Sequence, residues 1–257
     1  MAGHSHWHNI QQAKGKADAK RGVVFTKAAQ QIILAARDGG GDPNHNLILR
    51  IAVDYARSVN MPKDNIERAI KKGTGEDSTT QLEKVVYEGY GPFKIPVVVS
   101  AITDNKNRTV NEIRNIFSKS GGELGSIGAV MWQFTESGRV TVRCVKTKSA
   151  EKFGESDTEI PVDKESATFE LMDVPEIEDI TEDPDEESIL QVKVPMNRLA
   201  QVASRIRELG YSIVGSGQHF EANTPITLAD DKWGSFEAFL STLDDQQDVQ
   251  HIWYAAI

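Results

Sequence analysis

A chain of 257 residues, 39% of them hydrophobic, is long enough to bury a substantial core, and its single cysteine, Cys144, excludes an intrachain disulfide framework. No apolar run approaches the ~20 residues of a membrane span, and "QQIILAAR" is too short and too polar at its flanks for a secretory signal, so a soluble cytoplasmic protein is expected. The net charge of −9 argues against nucleic acid as a partner, but the distribution of charge argues for it. Residues 1–37 carry Lys14, Lys16, Lys20, Arg21, Lys27 and Arg37 against Asp18 alone, whereas 151–187 hold sixteen acids against Lys152 and Lys164. A basic end attracts phosphate, and an acidic lobe is held away from it.

The chain opens on "MAGHSHWHNI", with His4, His6 and His8 around Trp7. Removal of Met1 would leave Ala-Gly-His, whose amine, amides and His4 imidazole suit Cu(II) or Ni(II) in a square plane. No cysteine or carboxylate lies nearby to close a zinc site, so His4 is only a marginal metal candidate and no cofactor is expected. Trp7 can stack on a base, and Lys14, Lys16, Lys20, Arg21 and Lys27 can contact phosphates. The same residues also read as a solvated polar arm. Were 16–27 one helix, Lys16, Lys20 and Lys27 would share a face, but Gly22 speaks against continuity.

Residues 23–37 predict a helix from Phe25, Ala29, Ile32, Ile33 and Ala36, ended by "GGG". A second helix is expected over 46–59, with Leu47, Ile51, Tyr55 and either Ile48 or Ala52 buried. "NMPKDNIERAIKKG" predicts a third, with Pro62 in its first turn, Ile66 and Ile70 as anchors, and Lys71 and Lys72 near its negative end. The tight turn between the second and third helices resembles a helix-turn-helix, a weak signal because small bundles share it. Arg68, Lys71 and Lys72 are candidate phosphate contacts. Residues 73–81 read as a linker.

Beyond the linker the pattern alternates between strand and helix. "IPVVVSAITD" reads as a buried strand, and the helix "NRTVNEIRNIFSKSGG" follows it. Between them "TDNKNRT" offers Asn105, Lys106, Asn107 and Arg108 to a phosphate, although Asn105 or Asn107 could equally cap the helix. "AVMWQFT" and "GRVTVRCV" read as two strands joined by a hairpin turn at "ESG", with Cys144 on the second. A short helix near 163–172, a strand at "SILQVKV", a helix over "MNRLAQVASRIRELG", a strand at "YSIVGSGQHF", the helix "DDKWGSFEAFLSTLDD" and the strand "VQHIWYAA" complete the chain. The glycine-rich "GGGDP", "GTGE" and "GSGQHF" lack the lysine, hydroxyl or following helix of a phosphate loop and read as turns. No HExxH and no nucleophile–His–Asp signature is present, so a non-enzymatic protein with no small-molecule substrate is expected.

Several motifs together resemble the YebC family, whose mitochondrial relatives are translational activators of cytochrome oxidase. They are "MAGHSHW", "GKADAKRGVVFTKAAQQIILAAR" with "GGGDP", "NMPKDNIERAIKKGTGE", "YEGYGP", "AITDNKNRT", "FSKSGGELG" and "LDDQQDVQHIWYAA". His6 stands where the family usually has lysine, which makes the arm less basic and sensitive to pH. The resemblance implies an α+β fold: an N-terminal helical bundle over 1–80, a ferredoxin-like α/β sandwich built from 82–135 plus 211–257, and a second, acidic ferredoxin-like sandwich over 136–210 inserted in the first. It implies two functions. One is a transcriptional regulator that binds duplex DNA. The other is a ribosome-associated factor that contacts ribosomal RNA and eases synthesis of difficult stretches such as proline runs. Mixed signs on 62–72 suit a DNA groove poorly, which favours the second.

Overall fold

The computed structural model describes residues 17–75, 82–148, 158–183 and 186–257, of which 17–20, 147–148 and 158 are described by their backbone alone. Two compact units form. One takes the described residues up to Thr135 together with Phe220–Ile257, and the other takes Glu136–His219.

The first unit begins with three helices, α1 (Ala17–Gly39), α2 (Leu47–Ser58) and α3 (Lys63–Gly73). Helix α1 runs straight through Gly22, contrary to the break expected there. A mid-helix glycine costs only about 1 kcal/mol, which the packing of the following turns offsets. The bundle core is built largely from small side chains: Ala28, Ala35, Ala36, Ala52, Ala56 and Ala69, around Ile32, Leu49 and Ile66. Small residues let the axes approach closely. A Cβ on Gly73 would lie 2.5 Å from the Ile33 carbonyl oxygen, so the end of α3 needs glycine against α1. On α2, Ile51 and Ala52 are buried as expected and Leu47 and Tyr55 are partly buried, but the fully buried residue is Leu49, which the expected stripe left out, and Ile48 is 46% exposed. Leu49, Ala52, Val53 and Ala56 follow one stripe, and it is the stripe that meets α1. Buried Asn46 sets this angle. Its Oδ1 accepts from the Leu49 N–H at 3.0 Å, capping α2, and its Nδ2 donates to the carbonyls of Ala35 and Gly40 at 2.8 Å, closing α1.

The same unit carries a four-stranded antiparallel sheet from β1 (Glu83–Tyr90), β2 (Pro96–Thr103), β3 (Glu123–Leu124) and β9 (Val249–Tyr254), in the order β3-β1-β2-β9. Strand β1 carries no regular apolar alternation and was not evident in the sequence. It is held by pairing with β2 from Glu83↔Thr103 to Tyr90↔Pro96. Helices α4 (Lys106–Lys119) and α7 (Asp230–Asp244) cover one face, where Val97 and Val99 meet Ile113, Phe117, Phe236 and Phe239. Val98, Phe134, Phe220 and Trp253 form a smaller core on the other face. Two covered faces explain why every residue of β2 is buried, Ser100 and Thr103 included, as its largely apolar sequence predicts.

The second unit comprises β4 (Phe134–Lys148, which begins in the first unit), β5 (Thr158–Pro161), α5 (Lys164–Met172), β6 (Asp179–Glu182), β7 (Ile189–Val194), α6 (Leu199–Glu208) and most of β8 (Tyr211–Ala222). The sheet has five strands: β4 pairs with β5, β7 and β8, and β7 pairs with β6, so that β5 is an addition to a four-strand order. The order β8-β4-β7-β6 with two crossover helices is the ferredoxin-like arrangement. In the first unit, β9-β2-β1-β3 is the same order with its third strand supplied from the N-terminal side. The hairpin expected at "ESG" does not form, because β4 continues through it. Gly138 is a packing glycine rather than a turn glycine: it pairs with Val194, and a Cβ there would lie 2.8 Å from the Val194 side chain.

Cys144 is buried on β4, and its N–H donates to the Ser188 carbonyl. Burial pushes its thiol above the ordinary value, which suppresses the reactive thiolate. Ellman's reagent at pH 8 is expected to label the native chain at least 100-fold more slowly than the urea-unfolded chain. Equal rates would contradict a closed β4.

Candidate nucleic-acid interface

His4, Trp7, Lys14 and Lys16 lie outside the described residues, and of Lys20 only the backbone, inside α1, is described. Arg21 is exposed on α1. Lys27 turns inward instead of toward solvent. Only 8% exposed, its Nζ donates to the Asp244 Oδ1 at 2.9 Å and to the Asp244 carbonyl at 2.6 Å. Asp244 ends α7, so the ammonium sits at the negative end of that helix and joins the bundle to the sheet. Helical spacing alone did not show which side of α1 faces the sheet.

Arg68 and Lys71 are exposed on α3, and Lys72 is half-buried. Arg68 donates through Nε to the Asp64 carbonyl at 3.2 Å and through Nη2 to the Asn65 Oδ1, which holds its guanidinium along the helix. Lys72 makes no ion pair among the described residues. In the loop after β2, Asn105 caps α4 by accepting from the Arg108 N–H at 3.0 Å. Lys106 pairs with Glu83, and Asn107 is exposed. The Nη2 of Arg108 donates to Asp248 at 2.8 Å and to Asp104 at 3.0 Å.

The tertiary structure brings two of these groups together. Arg68 and Lys72 from α3, and Arg108 from the start of α4, line one cleft of about 510 Å³ within the first unit. Its floor and walls include Phe25, Ala29 and Ile33 from α1, with Met61 and Leu82. Asp248 closes one side. Asp248 carried no sequence signal, because it lies 140 positions from Arg108 and 218 from Gln30, and helical spacing marked the α1 residues only as a helix face. Asp248 is 1% exposed and accepts from Arg108, from the Thr109 hydroxyl at 2.7 Å and from Gln30 Nε2 at 3.2 Å. Burial pushes its carboxyl up, but the hydrogen bonds from Arg108 and Thr109 outweigh burial and hold it below the ordinary carboxylate value.

A depressed carboxyl contributes stability that is complete above the unfolded value of about 3.9 and is lost as pH falls through the folded value. Urea unfolding at pH 7, 5, 4 and 3 is expected to show stability falling below pH 5. Asp248→Asn should be less stable at pH 7 and show a flatter acid limb. An unchanged acid limb in the variant would remove Asp248 from the account.

Among the described residues no helix is long and apolar enough to cross a membrane, and no three His, Cys, Asp or Glu side chains gather as a metal site would need.

Comparison with known proteins gives this arrangement a lineage. The family model described as the TACO1/YebC protein N-terminal domain matches residues 5–76, and that of the TACO1/YebC second and third domain matches 82–256. A probable transcriptional regulatory protein of Caldanaerobacter subterraneus subsp. tengcongensis is 40% identical over 254 residues, covering 99% of this chain and 97% of the relative. One from Sulfurihydrogenibium sp. is 41% identical over 254 residues, covering 98% and 94%. The crystal structure of a conserved hypothetical protein from Aquifex aeolicus superposes with a TM-score of 0.77 at 33% identity, covering 98% of this chain and 96% of that one. The chain therefore belongs to the TACO1/YebC family, as the motifs at its N-terminal end imply.

Proposed function

We propose that this chain is a non-enzymatic, nucleic-acid-binding regulator of gene expression that works in the cytoplasm at the ribosome, contacting structured RNA and easing synthesis through difficult stretches such as proline runs. The observation that carries the reading is the convergence of Arg68, Lys72 and Arg108 on one cleft, in a chain whose N-terminal sequence is itself basic. Cations distributed over two elements suit the irregular phosphate positions of folded RNA. A reader of the DNA major groove instead needs one helix presenting base-reading side chains. The outer surface of α3 interleaves Asp64 and Glu67 with Lys63, Arg68 and Lys71, which opposes entry into a groove lined by phosphates.

Duplex-DNA binding is the second reading, favoured by the name that the relatives carry, probable transcriptional regulatory protein. Sedimentation of a lysate through a sucrose gradient at low salt separates the two. The wild-type chain is expected to travel with ribosomal particles, and the Arg68→Ala/Lys72→Ala variant or high salt should return it to the top. A wild-type chain that stays at the top at low salt overturns the ribosomal reading and leaves duplex DNA as the target.

A further inference from the structure

The cleft has two chemical characters. Phe25, Ala29 and Ile33 fall one per turn on α1, at spacings of four residues, and all three are only partly buried. They form an apolar stripe that the bundle core leaves facing the cleft. Arg68 and Lys72 stand on α3 across from it, and polar Asn65 and Gln247 line the walls. Arg108 adds a guanidinium whose Nε is shut from solvent and has no acceptor. A site for phosphate alone does not need an aromatic and aliphatic wall. A groove for an apolar peptide gains nothing from cations over its opening. A nucleotide combines flat apolar faces, polar edges and an adjoining anion. The cleft volume falls within the ~300–1,000 Å³ of sites that enclose small ligands.

We propose that this cleft receives a single unstacked nucleobase of RNA, packed on Phe25 and the α1 stripe, with Arg68 and Lys72 on the flanking phosphates. This rests on the nucleic-acid reading above and narrows it to a nucleotide that is unpaired or turned out of a helix. A paired base keeps both faces stacked and cannot enter, whereas bulges and loops present bases at small cost. The side amides of Asn65 and Gln247 and the hydroxyl of Thr26 can meet a base edge, and stacking itself is tolerant of base identity.

The test is fluorescence anisotropy of the full chain with three labelled RNA hairpins: one fully paired, one with a single-nucleotide bulge, and one with the same bulge made abasic. The bulged hairpin is expected to bind about tenfold tighter than the other two. Phe25→Ala should abolish that preference and Phe25→Trp should restore it. Because Phe25 also packs on the bundle core, Ala29→Leu, which fills the cleft from its half-exposed wall, provides a second variant, and melting curves verify folding of each. Equal affinity for all three hairpins overturns the base site while leaving RNA binding intact. A preference that survives both Phe25→Ala and Ala29→Leu places the base elsewhere and also overturns it. Failure to bind any hairpin at low salt overturns the RNA reading along with it.

Discussion

Replacing Glu88 by alanine is expected to lower the stability of the chain by about 4 kcal/mol and its melting temperature by roughly 10 °C. Glu88 lies on β1, is only 6% exposed, and has a fully engaged carboxylate. Oε1 accepts from the Gly128 N–H at 2.8 Å, and Oε2 accepts from the N–H groups of Val130 at 3.0 Å and Met131 at 2.9 Å. Removing it strands three donors in a region closed by Val130 and Phe134, each worth about 1–3 kcal/mol when left unsatisfied. Glu88→Gln keeps one acceptor but turns an amide N–H₂ toward a donor, so about half of that loss is expected. Lys106–Glu83 is the contrast: both side chains are 54% exposed, and Lys106→Ala should cost less than 1 kcal/mol. The loop that Glu88 fixes holds Ile127 at 95% exposure and Trp132 at 72%. Thermal melts check the magnitude, and amide exchange over 125–133 should accelerate in the variants. A Glu88→Ala chain within 1 kcal/mol of wild type would mean that water replaces the carboxylate without loss.

Arg68→Ala combined with Lys72→Ala is expected to weaken RNA binding roughly 30-fold at about 0.1 M salt and to reduce the log–log salt slope by about 1.4 on single-stranded RNA. The slope is the more telling number, since it counts phosphates rather than overall affinity. Lys63→Ala is the control. Lys63 lies on the same helix, but it pairs with Glu67 at 3.6 Å and lies outside the cleft lining, so its loss should leave the slope within about 0.3 of wild type. Titrations at four salt concentrations decide the matter. An unchanged slope in the double variant would remove the cleft cations from the interface and leave the N-terminal basic segment as the only phosphate contact.

The three N-terminal helices were legible because each carries its own signals. Pro62 and Asp64 start α3, lysines and glycine end it, and Ile66 and Ile70 repeat at helical spacing, with Ile66 buried and Ile70 packed partly buried on the same core. Strand β2 was legible because Val97, Val98, Val99, Ala101 and Ile102 make it almost wholly apolar. Strand β1 and the course of β4 through Gly138 were not legible. Pairing partners, rather than local propensity, hold both in place, and a glycine that signals a turn in isolation is required here by a valine on the neighbouring strand. The same distinction separates the basic residues. Local sequence supplies a lysine's charge, but whether Lys27 meets solvent or Asp244 depends on a segment 217 positions away.

By itself, then, the sequence determined most of the elements and where most helices end, the polarisation of charge between the basic N-terminal end and the acidic 151–187 segment, and, through its motifs, the family. These are local properties, set by spacing, capping and composition. The tertiary structure alone decided which cations remain available and what they surround. Lys27 is bound to Asp244, while Arg68, Lys72 and Arg108, the last also held by Asp104 and Asp248, line a cleft whose apolar wall comes from α1. Burial and ion pairing depend on distances between segments far apart in the chain, and only packing of the bundle against the sheet fixes those distances.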